Sequence, residues 1–374
     1  MNYSDLVLKD EEKIVFALRS LYRKYGYKQY KVSSFEEYDL YMRNKNFLVS
    51  ENILSFTDTD GRLMALKPDI TISIVKNTKD TEGMQKFCYN ENVYRVTEHS
   101  YGFKEIMQTG LECIGPIDMY SMCEVIILAA KSLEIISNKY ILDISHLGII
   151  SGLIDEYITD SAVKKDIYKC VGEKNTHSLK EICDKNGIDE KFFQNLSLLI
   201  NIYLPLPEAV KKLETMEMNS TIRSAFEELC QISQILTLYG LDENIFVDFS
   251  MVNDMSYYNG VIFQGFIENL PASILSGGRY DNLVQKMGKK AGAIGFAVYL
   301  DLLEKLFPSK DSYDTDVLLL YKDTDDPAAV AQAAKMLMSV GNTVRVEKKN
   351  TGEIKYKQLI AIKDRGIEIL ESND

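Results

Sequence analysis

The chain has 374 residues, and 46% of them are apolar and spread along the whole length, which suits two or three folded domains and excludes a disordered chain. Its net charge of −12 gives no long-range pull on a polyanion, the opening residues lack a basic-then-apolar export signal, and no run of about 18 apolar residues marks a membrane span. The six cysteines (Cys88, Cys113, Cys123, Cys170, Cys183, Cys230) show no C-x-x-C spacing and have three histidines to join them, which reads as reduced thiols of a cytoplasmic protein with no metal site.

Residues 9–27 place Ile14, Val15, Leu18, Leu21 and Tyr22 at i, i+3, i+4 spacing and stop at Gly26, which predicts an amphipathic helix. From about 47 to 115 the pattern changes to short strands and turns. "FTDTDGRLMAL" (56–66) predicts a hairpin with Asp60-Gly61 at its tip. In "LKPDIT" (66–71), Asp69 and Thr71 lie two apart, so on a strand both face one side and are able to receive an ammonium group; the alternative is a strand terminus with Pro68 at an edge. "KFCYNENVYRV" (86–96) and "IMQTGLECIG" (106–115) read as two further strands of an antiparallel sheet, joined by a polar loop at 97–104. The two-residue period of "MQTGLE" (107–112) puts Gln108, Gly110 and Glu112 on one face, and Glu112 on a buried face needs a cation or a donor.

Residues 120–240 return to helical spacing, with 151–240 reading as an inserted helical subdomain broken by "LPLP" at 204–207. Strands resume over 245–303 and close with a helix. Within "MVNDMSYYNGVIF" (251–263) a strand sends Tyr257 and Tyr258 to opposite faces, so only one of them lines a given pocket. "SGGRYDNL" (276–283) sets two glycines before Arg-Tyr-Asp, which is either a close backbone approach to a ligand or a tight turn between strands. After Phe307-Pro308, "SKDSYDTD" reads as a linker, followed by a strand "VLLLY", a helix through "DDPAAVAQAAKMLMSVG" and a strand "TVRV", a small separate α/β unit.

In this order, "FTDTDGRLMALKPDIT", "ENVYRV", "IMQTGLECIG", "MSYYNGVIF", "SGGRYDNL" and "AIGFAVYLDLL" resemble the catalytic core of histidyl-tRNA synthetase, a class II synthetase, over roughly residues 1–305. The resemblance implies an α+β fold: a class II aminoacyl-tRNA synthetase-like antiparallel sheet flanked by helices, with a helical insertion at about 151–240. It is followed by a linker at 306–313 and a truncated anticodon-binding-like α/β domain at 314–374.

By the same resemblance, Asp69, Thr71 and Gln108 hold the amino end of a histidine ligand and Glu112 with Tyr258 holds its imidazole. Tyr280 adds a wall, and Tyr257 and Arg95 are counted at the site. The chemistry is sensible, because a carboxylate offsets an ammonium and an acid with a phenol pairs with both ring nitrogens. Asp69 is a shorter form of the family's glutamate.

Adenylation needs cations aimed at the phosphates. Arg95 matches the first of the activating arginines, but Leu302 stands where the resemblance expects another, with Tyr299 in place of the glycine before it. Asn253 stands at a third arginine position, and "TEHSYGFK" (97–104) lacks the arginines expected for gripping ATP. The tail ends in the acidic "EILESND", unlike the basic, aromatic surface that reads a tRNA.

A histidyl-tRNA synthetase-like chain without these arginines resembles the regulatory subunits of ATP phosphoribosyltransferase. That resemblance implies no catalytic residue and no cofactor, and a short-form catalytic subunit as partner in a hetero-octamer. It also implies activation of that partner, L-histidine as a feedback ligand and no tRNA. A divergent synthetase and a scaffold that binds no ligand are the alternatives. Self-association is expected from residues 11–36, which match the class II dimer motif with Ser33 at its usual proline.

Overall fold

The computed structural model describes residues 8–48, 52–79, 81–96, 102–252, 257–305, 313–363 and 366–373. The chain forms two compact units, Met1–Leu306 and Phe307–Asp374.

In the first unit, the helix Asp10–Lys24 buries Ile14, Val15, Leu18 and Tyr22 along one face, and Gly26 follows at φ +84°, where a β-carbon is unfavourable. This helix packs on the long helix Met119–Ile136, where Tyr22 and Ser132 share a hydrogen bond of 3.0 Å. A capping box between Asp118 and Ser121 starts the long helix, which is apolar around most of its circumference because it lies between the first helix and the sheet.

The strands are β1 (Lys28–Gln29), β2 (Phe35–Glu37), β3 (Ser55–Thr57), β4 (Leu63–Leu66), β5 (Gln85–Val96), β6 (Phe103–Gly115), β7 (Tyr140–His146), β8 (Tyr203–Pro205), β9 (Ile245–Asp248), β10 (Val261–Ile267), β11 (Leu275–Arg279) and β12 (Gly292–Tyr299). Nine of them form one sheet in the order β1-β5-β6-β12-β11-β10-β7-β9-β8, and β2-β4-β3 form a small second sheet. The large sheet is antiparallel except where β1 joins β5 and β7 joins β9, so it is mixed. The hairpin at 56–66 forms, with Thr57 opposite Leu63 and Gly61 at φ +79° in the turn.

Two features depart from the reading of 120–240 as helix. β7 runs through "YILDISH" and is almost wholly buried; a strand covered on both faces loses the alternation that distinguishes it from a helix. Between β7 and β9 the helices Leu147–Tyr157, Ser161–Gly172, Thr176–Asn186, Glu190–Ile200, Leu206–Leu213 and Ser220–Leu238 form the insertion. Its "LPLP" segment does more than interrupt helices, because Tyr203–Pro205 is β8 and pairs antiparallel with β9 at the rim of the large sheet, where a proline is tolerated.

The second unit contains β13 (Thr315–Leu320), the helix Pro327–Ser339, β14 (Val344–Glu347), β15 (Tyr356–Lys363) and β16 (Gly366–Ser372), in sheet order β14-β13-β15-β16. β13 is parallel to β14 and β15, and β16 turns back antiparallel. Val317, Leu319, Ala334, Leu337 and Ile360 form its core. β16 alternates acids with apolar residues and is largely exposed, which is why its composition reads as an acidic tail.

Candidate functional site

A cavity of about 240 Å³ opens where β5, β6, β11 and β12 meet the start of the helix Thr71–Asn77. All eight residues named from the sequence line it: Asp69, Thr71, Arg95, Gln108, Glu112, Tyr257, Tyr258 and Tyr280. Its size lies below the roughly 300–1,000 Å³ of most small-molecule clefts, which suits a compact ligand.

Asp69 and Thr71 reach the cavity by a different route from the strand read in "LKPDIT". β4 ends at Leu66, and Pro68 has no N–H to continue a ladder. Asp69 Oδ1 accepts the Ile72 N–H at 2.8 Å, satisfying an orphan donor at the start of the helix Thr71–Asn77. Arg95 braces the same turn: its Nε donates to the Pro68 carbonyl at 2.6 Å and its Nη2 lies 3.8 Å from Asp69 Oδ2. Burial raises the Asp69 pKa, while Arg95 and the backbone N–H groups of Ile72 and Thr71 pull it down.

The strand reading of "MQTGLE" holds. Gln108 and Glu112 lie on β6 with Gly110 between them, and both side chains are buried. The donors that Glu112 requires are hydroxyls: Thr71 Oγ1 donates to Oε1 at 2.7 Å and the Tyr280 hydroxyl to Oε2 at 2.5 Å. The carboxyl fits because Gly295 faces Glu112 across β12 and β6; a β-carbon there would stand 1.9 Å from Oε2. Burial lifts the Glu112 pKa to about 8, with the two hydroxyls opposing the rise and nearby Asp69 adding to it. Gln108 Nε2 is buried and has no hydrogen-bond partner, a donor on the cavity wall open to a ligand acceptor.

Tyr257 and Tyr258 both line the cavity, contrary to the opposite-face expectation. β10 begins only at Val261, so the two tyrosines precede the strand and strand alternation does not apply to them. Their rings meet edge to face with centroids 4.7 Å apart, and Tyr257 also meets Phe47 at 6.1 Å and Tyr280 at 5.7 Å. In "SGGRYDNL" the glycines are neither a turn nor a ligand cradle. They lie within β11, where β-carbons at Gly277 and Gly278 would stand 2.4 Å from the Gly295 carbonyl and 2.7 Å from the Val261 carbonyl. Tyr280 follows the strand and turns its hydroxyl to Glu112.

Tyr89, Gln264, Ser276 and Tyr299 are further polar residues of the wall. Tyr299 lies beside Ser276, hydroxyl to hydroxyl at 3.1 Å. Tyr89 was open to discovery from the sequence: it pairs with Gly110, and a glycine between two functional side chains makes room for a large cross-strand neighbour. Gln264 and Ser276 pair with each other across β10 and β11 and carry no comparable signal. Leu302 is half-buried. Asn253 and residues 97–101 of the polar loop lie outside the described residues. All six cysteines are free thiols, and among the described residues no helix is long and apolar enough to cross a membrane.

The histidyl-tRNA synthetase family model matches residues 7–303. The ATP phosphoribosyltransferase regulatory subunit of Clostridium kluyveri is 31% identical over 335 residues, covering 85% of this chain and 84% of its own length. Among solved structures, an ATP phosphoribosyltransferase regulatory subunit/histidyl-tRNA synthetase from Bacillus halodurans C has a TM-score of 0.75 at 22% identity, covering 94% of this chain and 93% of that one. The ATP phosphoribosyl transferase (HisG:HisZ) complex from Thermotoga maritima has a TM-score of 0.62 at 19% identity, covering 78% of this chain and 98% of that one. These two structures share the fold. The chain belongs to the histidyl-tRNA synthetase-like family and, within it, to the non-catalytic regulatory subunits of ATP phosphoribosyltransferase.

Proposed function

We propose that the chain binds L-histidine in the Glu112 cavity and activates a short-form ATP phosphoribosyltransferase catalytic subunit, an activation that bound histidine reverses. The observation that carries this reading is the character of the cavity. It keeps two buried acids, a free amide donor and a wall of tyrosines, and Tyr299 with its hydroxyl on Ser276 stands where the family resemblance expects a glycine beside the nucleotide.

Asp69, with Thr71 and the side-chain carbonyl of Gln108, takes the ligand's ammonium end, which leaves the free Gln108 Nε2 to donate to the ligand carboxylate. Glu112 and Tyr258 take the imidazole, and Tyr257 and Tyr280 close over it. Arg95, the one cation among the described lining residues, supplies positive charge for the ligand carboxylate. Glu112 and Asp69 thus recognise opposite ends of one amino acid.

The effect on the partner follows from linkage: histidine lowers turnover to the extent that it binds one arrangement of the assembly more tightly than the other. That assembly is a hetero-octamer containing dimers of this chain, as the family resemblance implies. Two observations on relatives support the partner: the Clostridium kluyveri protein bears the regulatory-subunit name and the Thermotoga maritima structure is a HisG:HisZ complex. Residues 1–305 form the ligand-binding core, 306–313 the linker, and 314–374 a shortened counterpart of the anticodon-binding domain that does not bind tRNA.

The test is turnover of a short-form catalytic subunit with and without this chain, each with and without histidine. Stimulation that histidine reverses is expected. No stimulation, together with histidine-dependent ATP–pyrophosphate exchange by the chain alone, would identify a working synthetase instead.

A further inference from the structure

Two carboxyl groups face the cavity in opposite settings. Asp69 has Arg95 Nη2 at 3.8 Å and the Ile72 N–H. Glu112 has, as hydrogen-bond partners among the described residues, the hydroxyls of Thr71 and Tyr280, and it is 2% exposed. The titratable groups around the cavity are Asp69 at the helix entry, Arg95 and Tyr89 from β5, Tyr257 and Tyr258 before β10, Tyr280 after β11 and Tyr299 on β12. Burial keeps the phenols of Tyr89, Tyr257 and Tyr280 well above their ordinary pKa, so they stay uncharged, and Arg95 has its Nε and Nη2 on the Pro68–Asp69 turn rather than on Glu112. A dry seat without a cation of its own favours the uncharged acid, and the Glu112 pKa of about 8 agrees with the geometry. An uncharged carboxyl donates as well as accepts.

We propose that Glu112 receives its ligand as a proton donor, so that the pocket selects an uncharged azole ring and the complex holds one proton shared between carboxyl and ring. This rests on the histidine reading above. The proton either moves from the carboxyl oxygen to the ring nitrogen or stays on the oxygen in a hydrogen bond. Both forms contain the same atoms and need no co-reactant.

The consequence is a bell-shaped affinity. Between the ring's ordinary pKa of about 6.5 and the Glu112 value of about 8, the free pocket carries the proton and the free ring does not, so binding exchanges none. Below that window the ligand arrives protonated and one proton leaves; above it the pocket has lost its proton and one is taken up. Affinity falls about tenfold per pH unit on either side.

The experiment is calorimetric titration of the full chain with L-histidine from about pH 5.5 to 9, each point in two buffers that both hold that pH and differ in ionisation heat, so that the buffer heat counts protons. Expected are release, no exchange and uptake in that order as pH rises. Glu112→Gln, checked for folding by its melting temperature, should retain on the alkaline side only the titration of the ligand's own ammonium. Tyr280→Phe removes a hydroxyl that holds the carboxyl pKa down, so its alkaline limb should move to higher pH. A wild-type chain that binds histidine with constant affinity and no proton exchange would overturn the inference and leave the histidine reading standing. A folded chain that binds no histidine at any pH would overturn both.

Discussion

Gly295 stands directly opposite Glu112 across β12 and β6, and the carboxyl occupies the space that a side chain at 295 would fill. A β-carbon 1.9 Å from Oε2 is not accommodated by a small shift, because the Leu111 carbonyl lies 2.5 Å from the same point. Gly295→Ala should therefore displace Glu112, lower histidine affinity at least about tenfold and cost about 1–3 kcal/mol by overpacking. Calorimetry with histidine and urea unfolding check the two parts separately.

Glu112→Ala removes the carboxyl from the cavity wall. On the proposed function, losing the acid that would pair with the imidazole should weaken histidine inhibition by about 10- to 100-fold while co-purification with the catalytic subunit persists. Inhibition curves on the reconstituted complex decide it, and an unchanged midpoint would show that histidine acts elsewhere.

The raised Glu112 pKa also fixes a trend in the ligand-free chain. The folded state holds the proton up to about pH 8, whereas an unfolded glutamate loses it near 4.3, so the folded state binds more protons between these values. The contribution is fully present below about pH 4.3 and is lost as pH rises through about 8, at up to about 1.4 kcal/mol per pH unit. Glu112→Gln should remove this slope, so its stability relative to wild type rises across that range. Urea midpoints at several pH values test the sign.

Lys67 is 1% exposed, and its Nζ donates to Glu91 at 2.7 Å and to the Val32 carbonyl at 3.3 Å. Glu91 Oε1 also accepts the Val32 N–H, so one ion pair ties residue 32 to β5. Lys67→Met leaves a largely buried carboxylate uncompensated and should cost about 3–5 kcal/mol, and adding Glu91→Leu should recover much of it. A double-mutant cycle in urea measures the coupling; additive effects would show that the pair contributes little.

The parts legible in the sequence are those where a local rule and the tertiary setting agree. The period of "MQTGLE" located Gln108 and Glu112 because β6 is a regular strand, and Asp60-Gly61 located a turn because few other residues accept its backbone angles. Asp69 and Thr71 were assigned to the cavity on a strand that is absent. A cap made by the Asp69 side chain takes effect over three residues and competes with the extended reading of "LKPDIT". Tyr257 and Tyr258 fail for the same reason, since alternation holds only inside a ladder. Gly277 and Gly278 were read for their own freedom, while their cause lies in neighbouring strands distant in the chain.

β8 has a further meaning for the evolution of this chain. The helical insertion supplies the strand that covers the outer rim of β9, so the segment between β7 and β9 is not an appendage that a deletion removes cleanly. Shortening it past Tyr203–Pro205 would bare a row of unpaired N–H and C=O groups and turn a closed flank into an adhesive one.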